Sequence, residues 1–512
     1  MPFGLRGVFS AALGSPALRQ AGMPCRYDVA PARPGGEEKF GQTRGMHYYR
    51  CALNSMKISR QTLVPSAALL AALFLLNLSY TVRAADYEPK PDDAYFLKFN
   101  PRKAPAPGPL ILKEGDRLAI IGDSITEQKM YSRILETYLT VCVPELKITA
   151  RQFGWSGETA EGFLHRMTND CLRFNPTVAT VNYGMNDHRY RTFDMENEQW
   201  YADNYSAVVR NLKAAGAVVV LGSPGCVGKV PGWTKSGAYT LDELNINLCA
   251  FRDCDIALAR EFQTPFADVF WTMFKAGYEG RTRYGTDYAI SGKDGVHPGW
   301  AGHLVMAYSY LRAMGLDGDL GTFTVDLGAQ TATASAGHSV ESFKDNQLTV
   351  VSTKYPFCAS GETNSDASLR SGATLVPFFQ QLSRLQLVIK NANALQYFVI
   401  WGNTTNMYTS AQLAAGVNLA ADFVDNPFCE SFRRVDEAVK AKQDYETKQI
   451  KEVFHSQAAR DDMAKAVEST EAERAPLAKA IADAMTPVRH TLLIQAVTAA
   501  DLKVAPDLTP VH

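Results

Sequence analysis

From Arg117 onward the chain alternates short, near-continuous apolar runs with amphipathic stretches. The runs predict strands over 117–121 (RLAII), 147–153 (KITARQF), 177–183 (TVATVNY), 217–222 (AVVVLG) and 265–270 (PFADVF). Helical periodicity fills 126–140, 158–173, 195–215 and 240–262, and returns at 299–315. Strands apolar on both faces and separated by helices predict a parallel sheet covered on each side. Residues 111–318 therefore read as an α/β domain.

The pattern changes after residue 318. Runs at 322–327 (TFTVDL), 347–352 (QLTVVS), 384–389 (RLQLVI) and 396–401 (QYFVIW) alternate or are rich in β-branched and aromatic residues, with Asn, Gly and Ser between them. With no helices alternating, an antiparallel β-rich domain is expected over 319–512. Within it, residues 427–486 turn charge-rich, and Phe428, Phe432, Val435 and Val439 recur at helical spacing. A pair of helices with a solvated charged face fits there. HTLLIQAV at 490–497 reads as a closing strand, which makes the helices an insertion into the β-rich part.

The amino-terminal region reads differently again. Lys57 and Arg60 precede an apolar run at 63–78, and small residues follow near Ala84. This is the layout of a secretory signal peptide, residues 56–85, cleaved after Ala84 or Ala85. The run of about 16 residues, interrupted by Pro65 and Ser66, is short for a bilayer that needs roughly 20, so no stable membrane insertion is expected after cleavage. Export to the periplasm or the extracellular space follows from this reading. Residues 1–55 have no periodicity and read as an extension from an over-long start. Prolines at 89, 91, 101, 105, 107 and 109 make residues 86–110 an extended linker.

Composition narrows the partners. The 512 residues are 46% hydrophobic, with 52 basic against 53 acidic side chains and a net charge of −1. Such a balance gives no bulk electrostatic reason to bind nucleic acid or an anionic membrane surface. Nine cysteines occur without a CxxC pair, so neither a metal site nor a thioredoxin-like site is indicated. Export would permit disulfides among the seven cysteines after the signal, and their odd number leaves at least one unpaired.

The chemistry concentrates in four segments, three of them at the carboxyl ends of predicted strands, where an α/β sheet presents its ligand crevice. Ser124 sits in GDSIT, directly after the first strand, where it serves equally as nucleophile or helix N-cap. Gly157 lies in GWSGET after the second strand and can bring a bare backbone N–H close to a ligand. Asn186 lies in GMND after the third. The fourth segment, DGVHPG, precedes the last helix of the domain. Asp294 stands three residues before His297 there, close enough to fold back, fix the imidazole tautomer and stabilise the imidazolium.

These four segments, in this order, resemble the SGNH/GDSL hydrolase superfamily over residues 111–318. The resemblance implies a flavodoxin-like three-layer α/β/α domain and a serine esterase. Ser124 would attack the acyl carbonyl, His297 would act as general base and then acid, and Asp294 would orient His297. The oxyanion would be held by the backbone N–H groups of Ser124 and Gly157 and the amide of Asn186. Asp123 is given a structural hydrogen-bonding role. No GxSxG segment occurs, which excludes the nucleophile-elbow reading. Trp155, His188, Tyr190 and Arg191 stand near the oxyanion segments as candidates for binding substrate, whereas His303 and Trp401 read as core residues. No cofactor is required. The expected substrate is a small-molecule or glycan ester, with short-chain O-acyl groups, acetyl above all, on a carbohydrate. A lipase, lysophospholipase or thioesterase would use the same residues. A catalytically silent carbohydrate-binding or structural protein is the third alternative.

Overall fold

The computed structural model describes residues 87–498 apart from Ser236, together with Asp501. The expected extension (1–55) and signal peptide (56–85) lie outside the described residues. Among the described residues no helix is long and apolar enough to cross a membrane.

The first sheet has five parallel strands: β1 (Arg117–Gly122), β2 (Thr149–Gly154), β3 (Val178–Asn182), β4 (Val218–Gly222) and β5 (Phe266–Ala267). Their order is β2-β1-β3-β4-β5. This is the doubly wound flavodoxin-like order, whose chain reversal leaves a crevice at the carboxyl ends of β1 and β3. Helices α1 (Tyr131–Val141), α2 (Ala160–Asp170), α3 (Met195–Ala214), α4 (Leu241–Glu261), α5 (Val269–Tyr284) and α6 (Trp300–Ala313) complete the outer layers. Two apolar clusters lie on opposite faces of the sheet, one containing Ile120 and Val220, the other Ile121 and Leu221. Consecutive strand residues thus bury both faces, which explains the unbroken apolar runs.

Two local departures from the expected elements have physical causes. The strand expected over 265–270 stops at Ala267, because the Asp268 carboxylate accepts the Trp271 N–H (3.1 Å) and starts α5, a helix absent from the expected elements. Phe270 and Phe274 then fall at helical spacing. The helix expected at 126–140 breaks after a short turn (Ser124–Glu127), where Lys129 adopts φ +54°.

The Pro-rich segment, expected to be an extended linker, contains a short 3-10 turn (Ala94–Phe96) and packs against the domain. Phe96 and Phe99 are buried, Phe96 packs edge-on against Trp271, and Tyr95 stacks on Phe274. Aromatic burial against α5 outweighs the freedom that proline spacing suggested.

Beyond residue 318 stand β6 (Asp319–Asp326), β7 (Thr331–Ala334), β8 (His338–Lys344), β9 (Gln347–Ser352), β10 (Arg384–Lys390), β11 (Gln396–Trp401), β12 (Thr404–Thr409), β13 (Val417–Asn418) and β14 (Val488–Ala496). They form two sheets, β13-β10-β6-β7 and β12-β11-β14-β9-β8. The second is antiparallel throughout. The first is mixed, since β6 and β10 pair in parallel, and this corrects the expectation of a purely antiparallel unit. Short helices at Leu369–Leu375 and Phe378–Leu382 lie on the long crossover that such a pairing requires. Helices α7 (Cys429–Lys448) and α8 (Met463–Ala484) fall between β13 and β14, as an insertion would. Trp401 and Val350 share one core cluster with Ile120, so the β-rich part and the α/β sheet are continuous in packing. The seven described cysteines are all free.

Candidate active site

Ser124 follows β1 at the first position of its helical turn, and Asp123 caps that turn by accepting the Ile125 N–H (2.9 Å). The turn rests on β2 because residue 154 is glycine: a Cβ there would come within 2.2 Å of the Glu127 backbone nitrogen. Half-buried Ser124 therefore sits at the switch point of the sheet.

The 292–298 loop brings His297 to Ser124. Gly292 has φ +79°, and a Cβ on it would meet the His297 carbonyl oxygen at 1.7 Å, so only glycine lets the loop close. Oδ1 of Asp294 accepts the backbone N–H groups of Val296 and His297, both at 2.9 Å. Its Oδ2 lies 2.6 Å from His297 Nδ1, and His297 Nε2 lies 2.8 Å from Ser124 Oγ. Burial raises the Asp294 pKa, but the backbone donors and the imidazole outweigh it and hold the carboxyl below the ordinary value. The site thus has a carboxylate fixed in its charged form, an imidazole oriented by it, and a hydroxyl within reach of the far nitrogen.

Gly157 has φ +78° and is solvent-exposed in the loop after β2. Among the described residues no protein acceptor takes the N–H of Ser124 or that of Gly157. Asn186 is brought to the same place with a different commitment. Its Nδ2 donates to the Glu158 carbonyl (2.9 Å) and lies 3.4 Å from Asp123 Oδ2, leaving one N–H only loosely held. Buried charges set this frame. Glu158 is buried in a two-pronged pair with Arg166 (2.6 and 2.7 Å) and accepts the Tyr183 hydroxyl (2.6 Å). Asp187 accepts the N–H groups of Ala160 and Gly184, and burial pushes its pKa up to about 6. Burial likewise pushes buried Asp123 up to about 7.

The four residues proposed to touch substrate are placed unequally. His188 does not reach the rim: it is fully buried, its Nδ1 meets the Met185 carbonyl (2.5 Å), and burial pushes its pKa down to about 4. Trp155 is enclosed by His455, Arg166 and Lys451, which occupy its ring faces and edge. Arg191 pairs with Asp194 (2.7 Å). Tyr190, held at φ +50°, packs edge-on against Trp233 with ring centroids 5.6 Å apart. Trp233, which the sequence patterns did not single out, is 54% exposed and lies 6.1 Å from the His297 ring. Its only signal was position: a tryptophan in the Gly- and Pro-rich loop after β4, on the ligand side of the sheet. His303 is a buried core residue, bonded to the Tyr131 N–H (3.2 Å) and Gln128 (3.0 Å). Trp401 is also buried and donates to His490 (3.1 Å).

Residues 120–305 match the GDSL-like lipase/acylhydrolase family. The α/β domain belongs to this family. An acylhydrolase domain of this kind implies chemistry on carboxylic esters. It is 24% identical over 226 residues to an acetylxylan esterase of Geobacillus stearothermophilus, covering 40% of this chain and 95% of that protein. A crystal structure of that enzyme aligns at 22% identity over 40% of this chain and 96% of its own, with a TM-score of 0.33. A gut microbial diltiazem-metabolizing enzyme aligns over 77% of this chain and all of its own, at 19% identity and a TM-score of 0.59. That likeness extends the shared fold past the family domain into the β-rich part.

Proposed function

We propose that the chain is a serine esterase that removes short acyl groups, acetyl above all, from a carbohydrate through an acyl-enzyme on Ser124. The observation that carries this reading is the unbroken relay from Asp294 through His297 to Ser124 Oγ, at 2.6 and 2.8 Å. His297 takes the Ser124 proton as Oγ attacks the acyl carbonyl, then returns it to the departing alcohol. Water enters by the same route and releases the acid. The oxyanion of each tetrahedral intermediate accepts from the N–H groups of Ser124 and Gly157, with the N–H of Asn186 that is only loosely held by Asp123 as a third donor. Donors fixed before reaction need no reorganisation as charge develops.

Two features support a short acyl group on a sugar. Distant similarity to an acetylxylan esterase points to it. Trp233 and Tyr190 offer an aromatic wall beside His297, suited to the C–H face of a pyranose. Export, read from residues 56–85, would bring such an enzyme to extracellular or periplasmic glycans, and amino-terminal sequencing of the mature product tests it.

A panel of p-nitrophenyl esters from acetate to palmitate tests the reaction. Turnover confined to the short chains is expected. Preference for palmitate would favour a lipase, and a folded protein inert toward every ester would refute the enzyme.

A further inference from the structure

The helical insertion reaches the reaction centre. Just after α7 the chain forms a π-helical segment, Gln449–Phe454, a geometry that recurs at functional sites. Lys451 on this segment places Nζ 2.7 Å from Oε1 and 2.9 Å from Oε2 of Glu127. Glu127 closes the turn that begins with Ser124, and its Oε2 accepts the backbone N–H of Ser156. The same ammonium lies 5.1 Å from the Trp155 ring. One cation therefore joins the turn of the nucleophile to the loop that carries Gly157. The two side chains keep only 28% and 21% of their exposure, which shields the pair from solvent more than a surface ion pair.

Gly157 gets no help from packing. The space its Cβ would occupy holds no atom within 4 Å, and its φ is left-handed. Its N–H is aimed only by its neighbours. Trp155 donates to the Gly122 carbonyl (3.0 Å), Glu158 donates to the Trp155 carbonyl (3.2 Å), and Ser156 is held by Glu127. Of these anchors, the last alone runs through a charged side chain whose counter-ion comes from the insertion. Two other ion pairs, Arg133 with Asp436 and Lys129 with Asp444, also fasten α7 to residues following Ser124.

We infer that Lys451 is a positioning residue for the esterase: acting through Glu127, it holds the Ser156–Gly157 backbone where its N–H and that of Ser124 face the same oxyanion. This rests on the esterase reading above and gives the helical insertion a part in the reaction.

The test uses the full chain and p-nitrophenyl acetate. Misaligning a donor should cost less than the 10²–10³ typical of deleting one, so Lys451→Met is expected to lower kcat about tenfold. KM should stay within about twofold, as for an interaction used in the transition state. Lys451→Arg should restore at least half of the lost rate. In a Glu127→Ala background, Lys451→Met should cost nothing further, because the two act as one unit. Arg133→Ala, which breaks a different fastening of the same insertion, should lower Tm and leave kcat unchanged. An unchanged kcat in Lys451→Met, an equal fall in Arg133→Ala, or additive losses in the double variant would each overturn the inference. If Lys451→Met fails to fold, Glu127→Gln carries the same expectation, and an unchanged kcat there is equally fatal. A wild-type chain inactive on every ester overturns the esterase reading and this one with it. Active wild type with an indifferent Lys451→Met overturns this one alone.

Discussion

Ser124 Oγ and His297 Nε2 stand 2.8 Å apart across 173 residues of sequence. The contact is made by two loops that share no strand. One is the turn capped by Asp123 at the end of β1, and the other is the loop closed at Gly292 before α6. Each loop is locally determined, and the sheet brings their tips together.

Ser124→Ala is expected to lower turnover of p-nitrophenyl acetate by at least about 10³-fold, since no other group can form the acyl-enzyme. The hydroxyl is small and half-exposed, so thermal melting should move by no more than the shift from about 0.5 kcal/mol. A variant that keeps the wild-type rate would dismiss Ser124 as nucleophile.

Asp294→Asn should keep the fold of the loop while reducing kcat by about 10³–10⁴, because an amide no longer stabilises the imidazolium or selects its tautomer. Steady-state kinetics together with circular dichroism would check this. Equal activity in the two proteins would remove Asp294 from the relay.

The buried Asp123 carboxyl makes stability depend on pH in an unusual direction. Unfolded, it titrates near 3.8, and in the folded chain burial moves this to about 7. Between those values the folded state holds the extra proton, so the stabilisation is fully present below about pH 4 and is lost as pH rises through about 7. Asp123→Asn cannot ionise, and its urea midpoint should therefore fall less steeply than that of wild type between pH 4 and 8. The difference should be on the order of a few kcal/mol. Parallel curves for the two proteins would mean that Asp123 is an ordinary carboxylate.

Trp233→Ala should raise KM for an acetylated oligosaccharide about five- to tenfold, the loss expected when one aromatic face is removed. The p-nitrophenyl acetate KM should move by less than about twofold, since that leaving group makes no sugar contact. Matching losses on both substrates would show that Trp233 supports the site and does not read the sugar.

The α/β sheet was legible because its strands are buried on both faces. Continuous apolar runs such as AVVVLG have few other places to go, and four of the five expected strands match to within two residues at either end. The fifth was cut short by one side chain, Asp268, whose capping bond competes with strand extension at a single residue. In the β-rich part the strands at 347–352 and 396–401 were visible, yet the parallel pairing of β6 with β10 was not. Alternation reports which face of a strand is buried and carries no information about its neighbour.

Ser124, Gly157, Asn186, Asp294 and His297 were singled out from sequence by the resemblance of their four segments, taken together and in order, to the SGNH/GDSL superfamily, since each segment alone reads equally as a turn, a cap or a loop. His188, Trp155 and Trp233 could not be sorted the same way. Whether a ring faces solvent, a cation or the core depends on elements that arrive from elsewhere, and so burial removed His188 from the rim, Arg166, Lys451 and His455 enclosed Trp155, and the loop after β4 carried Trp233 to His297. The sequence by itself determined most of the strands and helices, which follow from interactions among near neighbours, and carried the four segments on which the family resemblance rests. Only the tertiary structure decided which groups meet and which distant segment holds them, because a separation of 324 positions between Glu127 and Lys451 leaves that contact to packing alone.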